Sequence, residues 1–172
     1  HWSSAVQVTV VVGRPQTPAW QVSPVVQALP SSHDAPSGLA GFEHTPAVAI
    51  RMRNGALASL AGNIDSHHRV AIADLVLAQS SVRRTVEQLM RDIQPDLVGL
   101  SVMTFQRGTA RRIISLVRSI RPAVRVVVGG YDPSLAPEAW TDPAVGVDVI
   151  VRGEGELTFR ELLRAMEQGT PV

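Results

Sequence analysis

Short β-branched runs alternate along this chain with stretches of helical period, and several of the runs close on glycine. Residues 6–13 (VQVTVVVG), 70–75, 97–103, 124–128 and 147–151 read as strands, the first as a near-continuous apolar run of the kind buried on both faces of a parallel sheet. Between them, residues 56–62 (ALASLAG) read as a short helix of small residues. A clearer helix starts at a Ser81 cap, carries Val82, Val86, Leu89 and Ile93 on one face and stops at Pro95. Another covers residues 108–120, with Ala110, Ile113, Ile114, Val117 and Ile120 as its apolar stripe and Pro122 as its stop. The last helix opens on a capping box of Thr158 and Glu161 and turns Leu162, Leu163 and Met166 inward. Such alternation predicts an α/β domain built on a doubly wound parallel sheet, with right-handed crossovers that bring every strand-to-helix turn to one edge.

Residues 14–46 break the pattern. Pro15, Pro18, Pro24, Pro30, Pro36 and Pro46 stand among serines, and neither period persists apart from a short helical turn at 25–29. Loops of this length inside a compact domain are binding loops or disordered segments, and this one is expected to leave the carboxyl end of the first strand. The segment 133–143 is bracketed by prolines and carries Trp140.

Composition narrows the function classes. The 172 residues suffice for one domain, and 45% hydrophobic residues with a net charge near +1 describe an ordinary soluble protein. Arginine greatly outnumbers lysine, but the arginines are interspersed with carboxylates along predicted helices, which reads as solvated faces and not as a nucleic-acid footprint. With no cysteine, disulfides, thiolate nucleophiles, cysteine-ligated zinc and iron–sulfur clusters are all excluded from this chain. No apolar run approaches the ~20 residues of a membrane span, and the N-terminus lacks a basic region before an apolar stretch, so the chain reads as cytoplasmic with no membrane partner.

Two runs carry the strongest hint of chemistry: Val126-Val127-Val128-Gly129-Gly130-Tyr131-Asp132-Pro133-Ser134, and Val149-Ile150-Val151-Arg152-Gly153-Glu154-Gly155-Glu156. In each, a buried strand opens into a glycine turn at the sheet edge where ligands of open α/β folds bind. Gly129-Gly130 either lets a flat ligand or a ribose-phosphate lie on bare backbone or makes a tight turn before Pro133. Gly153-Glu154-Gly155-Glu156 couples glycine access to carboxylates, but lacks the spacing and the position of a dinucleotide fingerprint. The hydroxyls of Ser101 and Thr104, after the third strand, either meet a polar ligand or cap the following helix.

Taken in order, PDLVGLSVMT, an arginine-rich helix, RPAVRVVVGGYDPS and VDVIVRGEGELTFREL resemble the N-terminal cobalamin-binding domain of B12-dependent radical S-adenosylmethionine enzymes. The resemblance covers residues 56 to 170; residues 1–55 match loosely. It implies a Rossmann-like (flavodoxin-like) doubly wound five-stranded parallel sheet, in a single domain that holds cobalamin across its carboxyl edge. By position, Ser101, Val102, Met103 and Thr104 line the cofactor's nucleotide tail, Gly129, Gly130 and Tyr131 flank it, and Gly153, Glu154 and Gly155 close it. Residues 1–55 then supply the first strand and a proline-rich loop facing the cofactor, and residues 171–172 begin a linker to an absent C-terminal radical domain. That partner domain is expected to carry the S-adenosylmethionine and the [4Fe–4S] cluster.

B12 mutases and methionine synthase place Asp-x-His-x-x-Gly after the first strand, the histidine ligating cobalt from below. Here Asp65-Ser66-His67 is followed by Val at position 70 and precedes the second strand, on the opposite edge of the sheet. His67 and His68 accordingly read as exposed loop residues, and no metal ligand is assigned. By the resemblance, the lower corrin face meets residues 50–55, where Arg51 or Arg53 offers no lone pair and could sit under cobalt only as a non-ligating residue. The expected function is that of a cobalamin-binding domain in a methyltransferase, using methylcobalamin and cob(I)alamin as methyl carrier. The alternative is a stand-alone flavodoxin-like, receiver-like or nucleotide-binding module without catalysis. Trp20 and Trp140 are candidates for the seam with the absent domain.

Overall fold

The computed structural model describes residues 9–13, 55–75 and 81–170. Five strands, β1 (Thr9–Gly13), β2 (Arg69–Ala73), β3 (Leu97–Ser101), β4 (Arg125–Gly129) and β5 (Val149–Ile150), form one sheet in the order β2-β1-β3-β4-β5. Around it lie the helices α1 (Gly55–Gly62), α2 (Val82–Ile93), α3 (Arg107–Ile120), α4 (Tyr131–Leu135) and α5 (Gly155–Glu167). Trp140 ends a 3-10 turn, Pro137–Trp140.

Parallel pairing holds from β3 through β4 to β5, with Ser101 opposite Gly129 and Val128 opposite Ile150. The expectation of a wholly parallel sheet fails at β1, which runs antiparallel to both neighbours: Thr9 faces Ala73 and Leu100, and Gly13 faces Arg69. The exit of β1 therefore lies at the amino edge of the parallel strands, not at the carboxyl edge as the crossover rule suggested. A continuous β-branched run fits a doubly buried strand in either direction, so its side chains carry no information about which way it runs.

Strand side chains alternate between two layers. Val98, Leu100, Val126, Val128, Ala71 and Ala73 point to the core built with α2, α3 and Trp140. Leu97 and Val127, with the partly buried Val70 and Ile72, point to the opposite core, closed by Leu57 of α1 and by Phe159, Leu162 and Leu163 of α5. Each such buried aliphatic or aromatic side chain contributes roughly 1.5–3 kcal/mol relative to exposure, enough to hold both helical layers on the sheet.

The helices follow their apolar stripes, with some shifts at the ends. Ser81 stands at the N-cap of α2 without a side-chain capping bond, and Gln94 ends the helix in the left-handed region, just ahead of Pro95. In α3, Ala110, Ile113, Ile114 and Val117 are buried, but Ile120, the last residue of the helix, is 38% exposed. Helix α5 begins three residues before the expected capping box, with Glu154 at the N-cap, and the Thr158 hydroxyl donates back to the Glu154 carbonyl at 3.4 Å from within the helix. Glu156 in its first turn favours the start through the helix dipole.

Candidate cofactor-binding cleft

The carboxyl ends of β3, β4 and β5 and the inner faces of α1 and α5 enclose a cleft of about 160 Å³ that opens to solvent. Its sheet wall is Gly99, Ser101, Gly129 and Gly130; Leu57, Leu60 and Phe159 of the helices close the other side; Gly153, Glu154 and Gly155 form its end. Three strand exits that are far apart in sequence thus meet around one space.

Gly130 shows why glycine is required here. Its φ is +94°, and a Cβ would stand 2.9 Å from both Ser101 Oγ and the Val102 amide nitrogen. Neither the conformation nor the space admits a side chain. Val102 N–H donates to the Gly129 carbonyl and Asp132 N–H to the Val102 carbonyl, both at 2.9 Å, so the β3 and β4 exits are laced together by backbone. Gly153 also has a positive φ, +71°, but a Cβ there would meet nothing within 4 Å. Its requirement is conformational, and its backbone faces open space.

Ser134 ties the two glycine turns to each other. Its hydroxyl donates to the Gly130 carbonyl at 2.7 Å and accepts from the Gly153 amide at 3.0 Å. Beneath it, Asp132 is 1% exposed and is held by three side chains. Arg107 Nε and Nη2 donate to its two oxygens at 2.9 and 2.7 Å, and Trp140 Nε1 donates at 2.9 Å. The Arg107 guanidinium, followed by the Trp140 and Thr104 hydrogen bonds, holds the Asp132 carboxyl below the usual carboxylate range, while burial pushes the other way. The same pairing raises Arg107. This network props the short helix α4, and with it the backbone of Gly130.

Of the residues singled out in the sequence, Ser101, Gly129, Gly130, Gly153, Glu154 and Gly155 line the cleft together. Val102 is fully buried in the core of the α2 and α3 layer and contributes its backbone. Thr104 is engaged with Asp132, Met103 donates its amide to Gln106 Oε1 at 2.8 Å, and Tyr131 is 58% exposed on α4. Trp140, a candidate for a domain seam, is instead 1% exposed within the Asp132 network. Arg51, Arg53 and Trp20 lie outside the described residues.

Sequence reasoning missed Gly99, Leu57, Leu60, Phe159 and the bridging Ser134. Gly99 had a signal, since a glycine inside a buried strand marks a close approach. The helical residues had none, because an apolar residue that lines a cleft looks like one that fills a core. The histidines fall where expected, before β2 at the amino edge, but only His67 is exposed; the His68 side chain is 8% exposed. Asp65 beside them is taken by Arg164, which donates to its two oxygens at 2.7 and 2.9 Å and holds its carboxyl low. No helix among the described residues is long and apolar enough to cross a membrane.

Comparison with known proteins agrees with this geometry. The model of the B12 binding domain matches residues 52–163, which include every wall of the cleft. An uncharacterised methyltransferase of Pyrococcus horikoshii is 34% identical over 113 residues, covering 66% of this chain and 24% of that protein. An anaerobic magnesium-protoporphyrin IX monomethyl ester cyclase of Cereibacter sphaeroides is 30% identical over 143 residues, 83% of this chain and 22% of its own length. The cobalamin-dependent radical SAM methyltransferase TokK of Streptomyces tokunonensis is 35% identical over 71 residues, 41% of this chain and 10% of that protein. The chain thus spans a quarter or less of the length of these relatives. No solved structure matches it significantly. The chain belongs to the B12-binding domain family.

Proposed function

We propose that this domain holds the nucleotide tail of cobalamin in the cleft between the carboxyl ends of β3–β5 and helices α1 and α5, and serves a radical S-adenosylmethionine methyltransferase. The observation that carries the reading is the meeting of three glycine-bearing strand exits on one apolar-walled space. Cleft-lining backbone at Gly129 and Gly153, with the uncapped start of α5, suits an elongated ligand that needs contact along its length and hydrogen bonds at its phosphate.

When bound, cobalamin supplies a cobalt centre able to carry a methyl group; the chain's own residues bind and orient it. Ser101 and the Gly153-Glu154-Gly155 turn offer polar contacts, while Leu57, Leu60 and Phe159 exclude water from the tail. Met103, Phe105, Tyr131, Leu135 and Leu157, all following the carboxyl ends of β3, β4 and β5, are large apolar residues exposed by 39% to 69%. They suit an edge that a corrin ring and a partner domain cover.

The wide match to a cyclase favours a second reading, in which the same domain serves a radical reaction other than methyl transfer. Reconstitution with hydroxocobalamin, desalting and an absorbance spectrum test the shared part of both. Retention of about one corrin per chain supports the assignment, and complete loss on desalting contradicts it. Methyl transfer from labelled S-adenosylmethionine to product, in the protein carrying its radical domain, separates the two.

A further inference from the structure

At the amino edge of the sheet, away from the cofactor cleft, the turn before β2 meets the last turn of α5. There Glu167 Oε1 lies 2.8 Å from His67 Nε2 and 3.6 Å from His68 Nε2, and the donor atoms of all three residues fall within 4.8 Å of one another. The two imidazole rings stack at 4.2 Å with a 36° tilt, which turns both Nε2 atoms toward the same carboxylate.

His68 is the unexplained member. Its side chain is only 8% exposed, and its Nε2 is buried with no hydrogen-bond partner. A buried ring nitrogen left without a partner costs about 1–3 kcal/mol, so native structures rarely leave one without reason. We propose that His67, His68 and Glu167 form a binding site for a divalent transition-metal ion, zinc in the first instance, which ties the turn before β2 to the end of α5.

The spacing suits such an ion. With metal–nitrogen and metal–oxygen bonds of roughly 2.0–2.2 Å, ligand atoms of a tetrahedral site stand about 3.4 Å apart. The observed 2.8 and 3.6 Å bracket that value, so small side-chain rotations suffice. Two imidazoles and one carboxylate suit zinc and its neighbours better than calcium or magnesium, and a fourth position is left to water. Arg164, on the same helix as Glu167, is already paired with Asp65 at 2.7 Å and with Glu161 at 3.1 Å. That ion pair joins the same turn to the same helix, so the metal would reinforce a junction the fold already makes.

Equilibrium dialysis of the metal-stripped 172-residue chain against zinc, with cobalt(II) absorption as a second reading of geometry, tests the site. The absence of cysteine removes thiolate binding as a confounder. The expected result is about one zinc per chain, with affinity falling more than about tenfold in His68→Ala and in Glu167→Gln, a loss that even outer partners of metal sites produce. A combined His33→Ala and His44→Ala variant should bind as the parent does. Circular dichroism checks folding, and if His68→Ala unfolds, His67→Ala and Glu167→Gln at exposed positions carry the test. Absence of zinc binding, or binding insensitive to those substitutions, overturns the proposal, as does loss confined to the His33 and His44 variant.

Discussion

Gly130 and Gly153 are both glycines at strand exits with positive φ, yet they answer to different demands. At Gly130 the conformation is nearly exclusive to glycine and the Cβ position is already taken by Ser101 and Val102. Gly130→Ala is therefore expected to cost at least about 2–3 kcal/mol in urea unfolding. Gly153→Ala, with open space around the new methyl, should cost only about 1–2 kcal/mol. Asp132 makes a second residue-scale test. Asp132→Asn removes the charge that faces Arg107 while leaving the side chain's shape, and should destabilise by about 2–3 kcal/mol, less than a wholly buried pair because Arg107 is 34% exposed. The Asp132 carboxyl is lowered in the folded protein, so its contribution is present above the unfolded carboxylate pKa and is lost as pH falls through the folded value. Acid unfolding of the parent should accordingly steepen below about pH 4, and that component should be missing in Asp132→Asn.

Between elements, Ser134 joins the turn after β4 to the turn after β5. Ser134→Ala removes two hydrogen bonds to backbone and is expected to weaken cobalamin binding roughly fivefold, about 1 kcal/mol, with little change in overall folding. Titration of the variant with hydroxocobalamin measures it. Pairing direction is the other element-scale result. Nuclear Overhauser contacts between Val10 and both Ile72 and Gly99 are expected from the antiparallel β1, whereas a parallel β1 would bring Gly13 toward Ala73. The helices and the strands β2 to β5 were legible because periodicity and proline stops report burial directly, as Val82, Val86 and Pro95 do for α2. The direction of β1 was not, because a uniformly apolar strand has no polarity in its pattern. The early start of α5 was missed because Glu154 takes the N-cap without a side-chain bond, which leaves no capping box to read.

At the scale of the whole molecule, the sheet has two working edges. The carboxyl edge gathers Ser101, Gly130 and Gly153 around the cleft, and the glycine turns that line it were readable from sequence as strand exits, where glycine signals either ligand access or a tight turn. The helical wall, Leu57, Leu60 and Phe159, could be seen only once α1 and α5 were placed against the same face. The amino edge holds the paired histidines. The most direct test of the account is a titration of the isotopically labelled chain with cobalamin, followed by amide chemical shifts. Changes are predicted at Ser101, Gly129, Gly130, Gly153 and Gly155, with His67 and His68 unmoved. Changes concentrated at the histidine edge, with the glycine turns silent, would contradict it.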